Sequence, residues 1–507
     1  MDSSKNLTFR RQYILGNEYI KSLKNWDKLQ INSELFLTIH PDLEHVQIEI
    51  DGIKLTLLGF LIDPYHPQNT NEINLKKVLN KARSFEDVLK NTYDYSGRWA
   101  IIYTDERETK MLHDPCGLRQ IFYTKKNGKV WCGSQPNLLA EILKLDRDTS
   151  TNLLDYIGSD YYENEEGAWY GEGTVYNDVK HLLPNHYFDL DHFKAERYWI
   201  DNESNVNLEG AVKVANEILK GSLIAINNRF EKPMLAVTAG WDSRLLLAAS
   251  KEISSDINYF VSTMNTLSHE HMDIKIPNNL LNKLGLKLDI LDNLSPLKEE
   301  FKSILKKSVS MARVLPKTLT IQYHYENSGD TININGNVSE IIRITPARAR
   351  VNPKDIDGHY LAKMYGYPSI NYVVSALDKW LLEARQVANN HTVDVMELFY
   401  WEQRMGNWGS MYQAEQDIAI EEFCPFNNRK LLMVLLKLDK KDRTSPNYEL
   451  YQRLISDLWP ETLNEPINPL SLKGKIKKSF VGMMPLSVKA NLKSFVKSLR
   501  NDKNVQG

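Results

Sequence analysis

Residues Met234–Ser250, MLAVTAGWDSRLLLAAS, constrain the fold more than any other stretch of the chain. Met234–Val237 is a short apolar run of the kind that forms a strand buried on both faces. Thr238-Ala239-Gly240 follows, small enough for the backbone to turn tightly and approach a ligand. Asp242 and Ser243 then open an apolar segment, Leu245–Ala249, which predicts a helix with Asp242 near its N-terminus. A strand, a small-residue turn and a helix start together place backbone N–H groups around an anion. A carboxylate repels phosphate, so Asp242 makes sense there if it holds Mg²⁺ that bridges to the phosphates. The stretch reads as a nucleotide site, with ATP and Mg²⁺ as the expected cofactors. An ordinary strand-to-helix turn with Asp242 as a cap fits the same letters, and no Walker A pattern occurs in the chain.

At 507 residues the chain is too long for one ordinary core, which predicts two or three domains. Hydrophobic content of 42% and charged content of 25% are those of a soluble globular protein. A net charge of −2 gives no argument for nucleic-acid or membrane binding by the whole chain. Cys116, Cys132 and Cys424 are too few and too scattered for a disulfide framework or a zinc site. The N-terminal letters contain no apolar signal region and no stretch reaches the length of a membrane span, so a cytoplasmic location is expected.

The first 200 residues are rich in strand signals. Val46–Ile50 alternates, Asp51-Gly52 is a hairpin turn, and Ile53–Leu57 alternates back. Ile121–Thr124 and Val130–Cys132 flank Asn127-Gly128 in a second predicted hairpin, and Trp99–Tyr103 reads as a buried strand. The pattern predicts an antiparallel, layered sheet domain. From about Asn207 the period changes. Leu208–Phe230 predicts a helix, and then strands and helices alternate through Met234–Val237, Ile257–Thr263, Leu286–Leu291 and Thr331–Asn335. That is a doubly wound parallel sheet, whose ligand crevice lies beyond the carboxyl ends of the strands. The loops at 238–243 and after Asn335 both fall at such ends. Glu340 supplies a second carboxylate there, able to complete a Mg²⁺ site with Asp242, although a plain loop with one exposed Glu fits equally. Residues 355–460 read as helical, and their aromatics (Tyr360, Tyr365, Tyr367, Tyr372, Trp380, Tyr400, Trp401, Trp408) read mostly as core.

Thr238-Ala239-Gly240-Trp241-Asp242-Ser243 resembles the pyrophosphate loop of the ATP pyrophosphatases, Ser-Gly-Gly-x-Asp-Ser in the asparagine synthetases, with its first two positions altered. The resemblance widens in the first domain. Ser96–Asp105 looks like the Asn-Gly-Met-Phe-Ala-Phe segment of that family's glutaminase domain, and His113–Tyr123 looks like its Arg-Asp-x-x-Gly-x-x-Pro-Leu-Tyr. Leu183–Leu190 and Arg197-Tyr198-Trp199 resemble the Pro-Gly-His and Arg-Tyr-Trp that close the domain. Gly336-Asn337-Val338-Ser339-Glu340 is similar to Gly-Glu-Gly-Ser-Asp, with Glu340 at the metal-binding aspartate and Asn337 at a glutamate that assists ammonia. Glu421–Asn428 resembles Glu-x-Arg-x-Pro-Phe-Leu-Asp, with Glu421 at the family's glutamate.

The resemblance implies an Ntn-hydrolase-like (α+β) domain at 1–200, an ATP-pyrophosphatase domain with a helical C-terminal layer at 207–470, and a basic tail at 471–507. It implies nucleotide contacts at Val237, Thr238, Ala239, Gly240, Asp242, Ser243, Arg244, Ser262, Gly336 and Ser339. It implies metal ligands at Asp242 and Glu340, and catalytic roles for Asn337, Glu421 and Lys473, with Lys475 the alternative lysine. Arg343, three residues past Glu340, faces either the phosphates or solvent. The family's glutaminase uses a cysteine directly after the initiator methionine. This chain has Asp2 there, so the glutaminase half is expected to be inactive, as in the beta-lactam synthetase and lasso-peptide cyclase branches.

The expected function is an AMP-forming amide-bond ligase acting on a small-molecule, peptide or sugar carboxylate and an amine. Asparagine formation from free ammonia and an inactive scaffold protein are the alternatives. No nucleic-acid partner is expected, and a homodimer is. The basic tail, amphipathic over Val488–Leu499, predicts weak contact with an anionic membrane surface or a partner, or a solvated terminal helix.

Overall fold

Asp51 and Gly52, at φ 51° and 80°, turn the chain between the strands His45–Ile50 and Ile53–Ile62, and Asn127 and Gly128, at φ 52° and 75°, do the same between Phe122–Lys126 and Lys129–Gly133. Two adjacent positive-φ residues suit the twist of a tight hairpin, and Asn-Gly and Asp-Gly adopt them at least cost. These hairpins belong to a lobe of twelve strands among the described residues. In chain order they are β1 Tyr13–Gly16, β2 Asp27–Gln30, β3 Phe36–Ile39, β4 His45–Ile50, β5 Ile53–Ile62, β6 Ser96–Thr104, β7 Thr109–His113, β8 Phe122–Lys126, β9 Lys129–Gly133, β10 Lys180–His181, β11 His186–Asp189 and β12 Lys194–Arg197. One sheet runs β10-β8-β9-β1-β3-β2 and the other β12-β11-β7-β6-β5-β4. Tyr13, Leu15, Leu37 and Ile39 of the first face Leu58, Ala100, Ile102 and Met111 of the second in a shared core. Helices Asn71–Asn80 and Phe85–Asn91 cover the outer face of the second sheet, and Pro136–Leu143 covers that of the first. The lobe is the antiparallel, layered-sheet arrangement expected. The computed structural model describes residues 7–469 except 161, 163–165, 202–205, 330, 346–347, 365–368 and 392. Asp2, Tyr365, Tyr367, Lys473, Lys475 and the basic tail lie outside the described residues.

The second lobe begins with the helix Leu208–Asn227 and builds a five-stranded parallel sheet. Its strands are β13 Met234–Ala236, β14 Asn258–Ser262, β15 Asp289–Leu291, β16 Ile332–Ile334 and β17 Glu421–Phe423, in the order β15-β14-β13-β16-β17. Four of the five coincide with the predicted runs. The fifth corrects the helical reading of 355–460: Glu421–Phe423 pairs in parallel with β16, Glu421 beside Ile332 and Phe423 beside Ile334. Residues through Glu465 form one compact unit and 466–507 a second. No helix among the described residues is long and apolar enough to cross a membrane.

The lobes are joined by buried polar contacts. Arg98 of β6 donates to both carboxylate oxygens of Asp417, at 2.5 and 2.7 Å, and to Glu421 at 2.8 Å. Arg119 donates to the same Glu421 oxygen at 2.8 Å, and Arg11 lies 3.5 Å from the other. Asn427 bonds Asp114 and Gly97, Asn428 bonds Ser96, and Trp401 donates to the Pro115 carbonyl. Arg197 pairs with Glu402, and the Tyr198 hydroxyl accepts from Arg429. The segments that carry the family resemblance are therefore, in large part, the seam between the lobes.

Candidate nucleotide site

The turn after β13 forms as expected, and a helix, Trp241–Ala249, follows it. Ser243 in its first turn closes the loop. Its hydroxyl lies 3.1 Å from the Thr238 hydroxyl and accepts the Thr238 N–H at 3.1 Å. The Gly240 N–H is answered by Thr238 Oγ1 at 3.3 Å. The remaining amide, Ala239 N–H, donates at 3.1 Å to the Asp273 carboxylate. Gly240 is the N-cap and supplies no capping side chain, so the first amides of the helix are open to an anion. Asp242 is not the cap. Its carboxylate turns across to the loop after β16, where it accepts from the Ser339 hydroxyl and from Arg343 at 2.8 Å. Burial raises the Asp242 carboxyl, with Arg343 and Ser339 opposing the rise. The two loops touch so closely that a Cβ on Gly336 would lie 2.8 Å from that of Asp242, which leaves glycine as the residue that fits.

A cavity of about 360 Å³ opens beyond the carboxyl ends of β13, β14 and β16, a size in the range of ligand sites. Thr238, Gly240, Asp242, Ser243, Ser262, Gly336 and Asn337 line it, seven of the residues expected from the sequence. Ser339 acts behind the wall by holding Asp242. Val237 is buried in the sheet, where its N–H donates to Phe260.

Three expectations need correction. Arg244 faces away from the cavity: its guanidinium is buried and donates to the carbonyls of Thr462 and Glu465 at 2.7 and 2.8 Å, so it clamps the end of the fold. Glu421 lies at the amino end of β17, opposite the end that carries the cavity. Burial would raise its carboxyl, but Arg119, Arg98 and Arg11 hold it down at about 2, which makes it a member of the seam rather than a catalytic group. The pair Asp242 and Glu340 does not fit a resident Mg²⁺. Each is already matched by a guanidinium, Asp242 by Arg343 and Glu340 by Arg404 at 2.7 Å, and the four charges cancel. Among the described residues no third Asp, Glu, His or Cys completes a ligand set.

The sequence reading missed several groups around the cavity. Because alternate residues of a strand point to opposite faces, Glu422 turns away from Glu421 to one asparagine in β16 and one just after it. Asn333 and Asn335, which line the cavity, donate to it at 2.7 and 2.5 Å. Burial pushes its carboxyl up to about 8 against the effect of those amides. Lys317, Thr320 and His324 form one wall, spaced along a single face of the helix Lys317–Asn327, with Tyr412 and Gln416 beside them. Burial lowers His324 to about 4, so its imidazole is neutral at pH 7. Arg404, 2.7 Å from Glu340, also stacks on Trp408 at 4.3 Å. The Glu-Gln-Arg triplet at 402–404 was visible in the sequence, but nothing in it names Glu340 as partner.

No known protein family matches the chain, and no curated protein matches it. Among solved structures it is similar to the glutamine phosphoribosylpyrophosphate amidotransferase of B. subtilis complexed with ADP and GMP. The identity is 10%, over 68% of this chain and 73% of that one, with a TM-score of 0.24. A structure described as the allosteric regulatory enzyme of purine biosynthesis matches at 10% identity, over 61% and 76%, with a TM-score of 0.26. The glutamine-dependent NAD⁺ synthetase of Acinetobacter baumannii in complex with ADP matches at 9%, over 57% and 65%, with a TM-score of 0.20. At these scores the likenesses assign neither activity nor ligand.

Proposed function

We propose that the chain is an ATP-dependent, AMP-forming ligase that activates a carboxylate for amide formation. The observation that carries this reading is the loop Thr238–Ser243, which closes on its own hydroxyls and leaves an uncapped helix start at the edge of a cavity whose Asp242 is held from behind by Arg343. A triphosphate in that cavity would find the helix amides, with the Arg343 guanidinium next to them on Asp242, donors suited to charge that develops as pyrophosphate departs. Mg²⁺ enters here as the counter-ion of ATP, part of the substrate. In the proposed reaction a carboxylate oxygen attacks the α-phosphorus and the bond to the pyrophosphate oxygen breaks, which leaves an acyl-adenylate. An amine then forms the C–N bond, AMP departs with the former C–O electron pair, and the amine's proton passes to solvent. The acid and the amine are small-molecule, peptide or sugar groups.

The amine is read as a substrate's own. Cys116, Cys132 and Cys424 are all buried, and burial raises each thiol, Cys424 to about 12, so none of them offers a thiolate to glutamine. A second reading, a scaffold without catalysis, is favoured by one observation: Ala239 N–H already holds Asp273, and both rim carboxylates are paired. Carboxylate-dependent exchange of labelled pyrophosphate into ATP separates the two. Adenylation predicts exchange before any amine is added, and AMP as the product once the amine is present. A productive substrate pair that yields ADP contradicts the reading, as does a carboxylate screen in which MgATP binds and no exchange occurs.

A further inference from the structure

The wall of the cavity formed by the helix Lys317–Asn327 carries a cation that the reaction above does not use. Lys317 is the first residue of that helix, and its side chain is only 14% exposed. Its Nζ lies 3.6 Å from Glu415 and 4.0 Å from Glu166, both beyond hydrogen-bond reach, and 4.3 Å from the centre of the Tyr412 ring. No hydrogen-bond acceptor meets it. Glu415 is already engaged by Arg313, through its backbone N–H at 2.7 Å, its Nε at 2.9 Å and its Nη2 at 3.0 Å. Lys317 is thus the second cation beside a carboxylate that an arginine has taken.

Its position is also electrostatically costly. A helix begins with its positive end, where acids are stabilising and lysines are not, and the first turn of this helix holds no acid. Burial lowers the Lys317 pKa, and Arg313 adds to the effect against Glu415. An ammonium with no hydrogen-bond acceptor in reach, held between a carboxylate already taken and an aromatic face at a cavity wall, is placed to meet an anion in the cavity.

We propose that Lys317 anchors an anionic oxygen group of the bound substrate, a phosphate or a carboxylate, inside this cavity. The inference rests on the cavity being a substrate site, but it does not require adenylation. Thr320, one turn along the same face, is fixed by a 2.7 Å hydrogen bond to Ser262, so the wall is tied to the end of β14. That attachment holds the Lys317 backbone in place, and the ammonium alone supplies the charge.

Competitive acetylation of the full chain, read by peptide mass spectrometry, tests this without any assay of activity. ATP, inorganic pyrophosphate and L-aspartate are the probes, and exposed Lys287 is the internal control. At least fivefold slower labelling of Lys317 with ATP or pyrophosphate, with Lys287 unchanged, assigns a phosphate. The same protection by L-aspartate alone assigns a carboxylate. No protection by any of the three overturns the proposal. Calorimetry on K317M and K317R gives the second arm. A phosphate anchor predicts at least tenfold weaker ATP binding in K317M, largely restored in K317R, and a K317M protein that binds ATP and L-aspartate as the wild type does contradicts it. Protection without pyrophosphate exchange removes the ligase reading and leaves this one standing, and exchange without protection does the reverse.

Discussion

Arg98, Arg119 and Arg11 meet Asp417 and Glu421 at the seam between the lobes, while Arg343 meets Asp242 at the rim of the cavity, with the pair Arg404 and Glu340 farther out beside them. The residue types are the same and the settings differ. Arg98, Asp417 and Glu421 are 2–10% exposed, and five charged side chains meet there. The rim pairs are 20–27% exposed, and each is a single guanidinium on a single carboxylate. Buried charges that satisfy each other are costly to break, because the survivor is left without water. Partly exposed single pairs contribute less to stability than a buried network does and exchange partners more readily. A charged cluster buried on all sides holds a fold together, while one facing a cavity is placed to trade its partner for a ligand.

Breaking the seam should have the largest effect. Arg98→Met strands Asp417 and Glu421 without their main cation and is expected to cost about 3–5 kcal/mol, read by denaturant unfolding. Glu421→Gln should likewise lower stability while the folded fraction still binds ATP. A stable protein in either case would place the seam in the same class as the rim. At the rim the balance reverses. Arg343→Met should change stability by less than about 1 kcal/mol and weaken ATP binding by about tenfold to a hundredfold, the worth of one charge-assisted hydrogen bond. Equal ATP affinity in wild type and variant would remove Arg343 from the site.

Titration sharpens the contrast more gently. Glu421 is held at about 2, below its unfolded value, so its contribution is present above about pH 4.3 and is lost as pH falls toward 2. Glu422 has the opposite sign. Its folded value of about 8 lies above its unfolded one, so the fold binds the extra proton, and its contribution fades as pH rises through 8. Glu422→Gln should therefore raise the melting temperature by a few degrees at pH 8.5 and leave it nearly unchanged at pH 4. A variant with the wild-type alkaline decline would show that Glu422 is ionised throughout.

Much of the architecture was legible because local chemistry dictates it. Asp51-Gly52 and Asn127-Gly128 name their hairpins, and the apolar run Met234–Val237 with the small residues after it names the strand, the turn and the helix. The strand Glu421–Phe423 was not legible. It is three residues long and two of them are acids, a composition that looks exposed until Arg98 and Arg119 cover one face and Asn333 and Asn335 the other. Partnership was hidden for the same reason. Asp242 and Glu340 read as a metal pair in one dimension, because Arg343 and Arg404 approach them from other elements. Arg244 looked like a phosphate contact from its place after the loop, and only the packing of residues 462–465 shows what it binds. Lys317 has no sequence signal beyond a lysine after a proline.

The claim that the rim is a ligand site and the seam is not rests most directly on ATP binding. MgATP titrated calorimetrically into the full chain should give saturable heat near one equivalent, with a rise in melting temperature that grows with ATP concentration. Arg343→Met should weaken that binding at least tenfold. Absence of both heat and thermal shift with the wild-type protein would contradict the account.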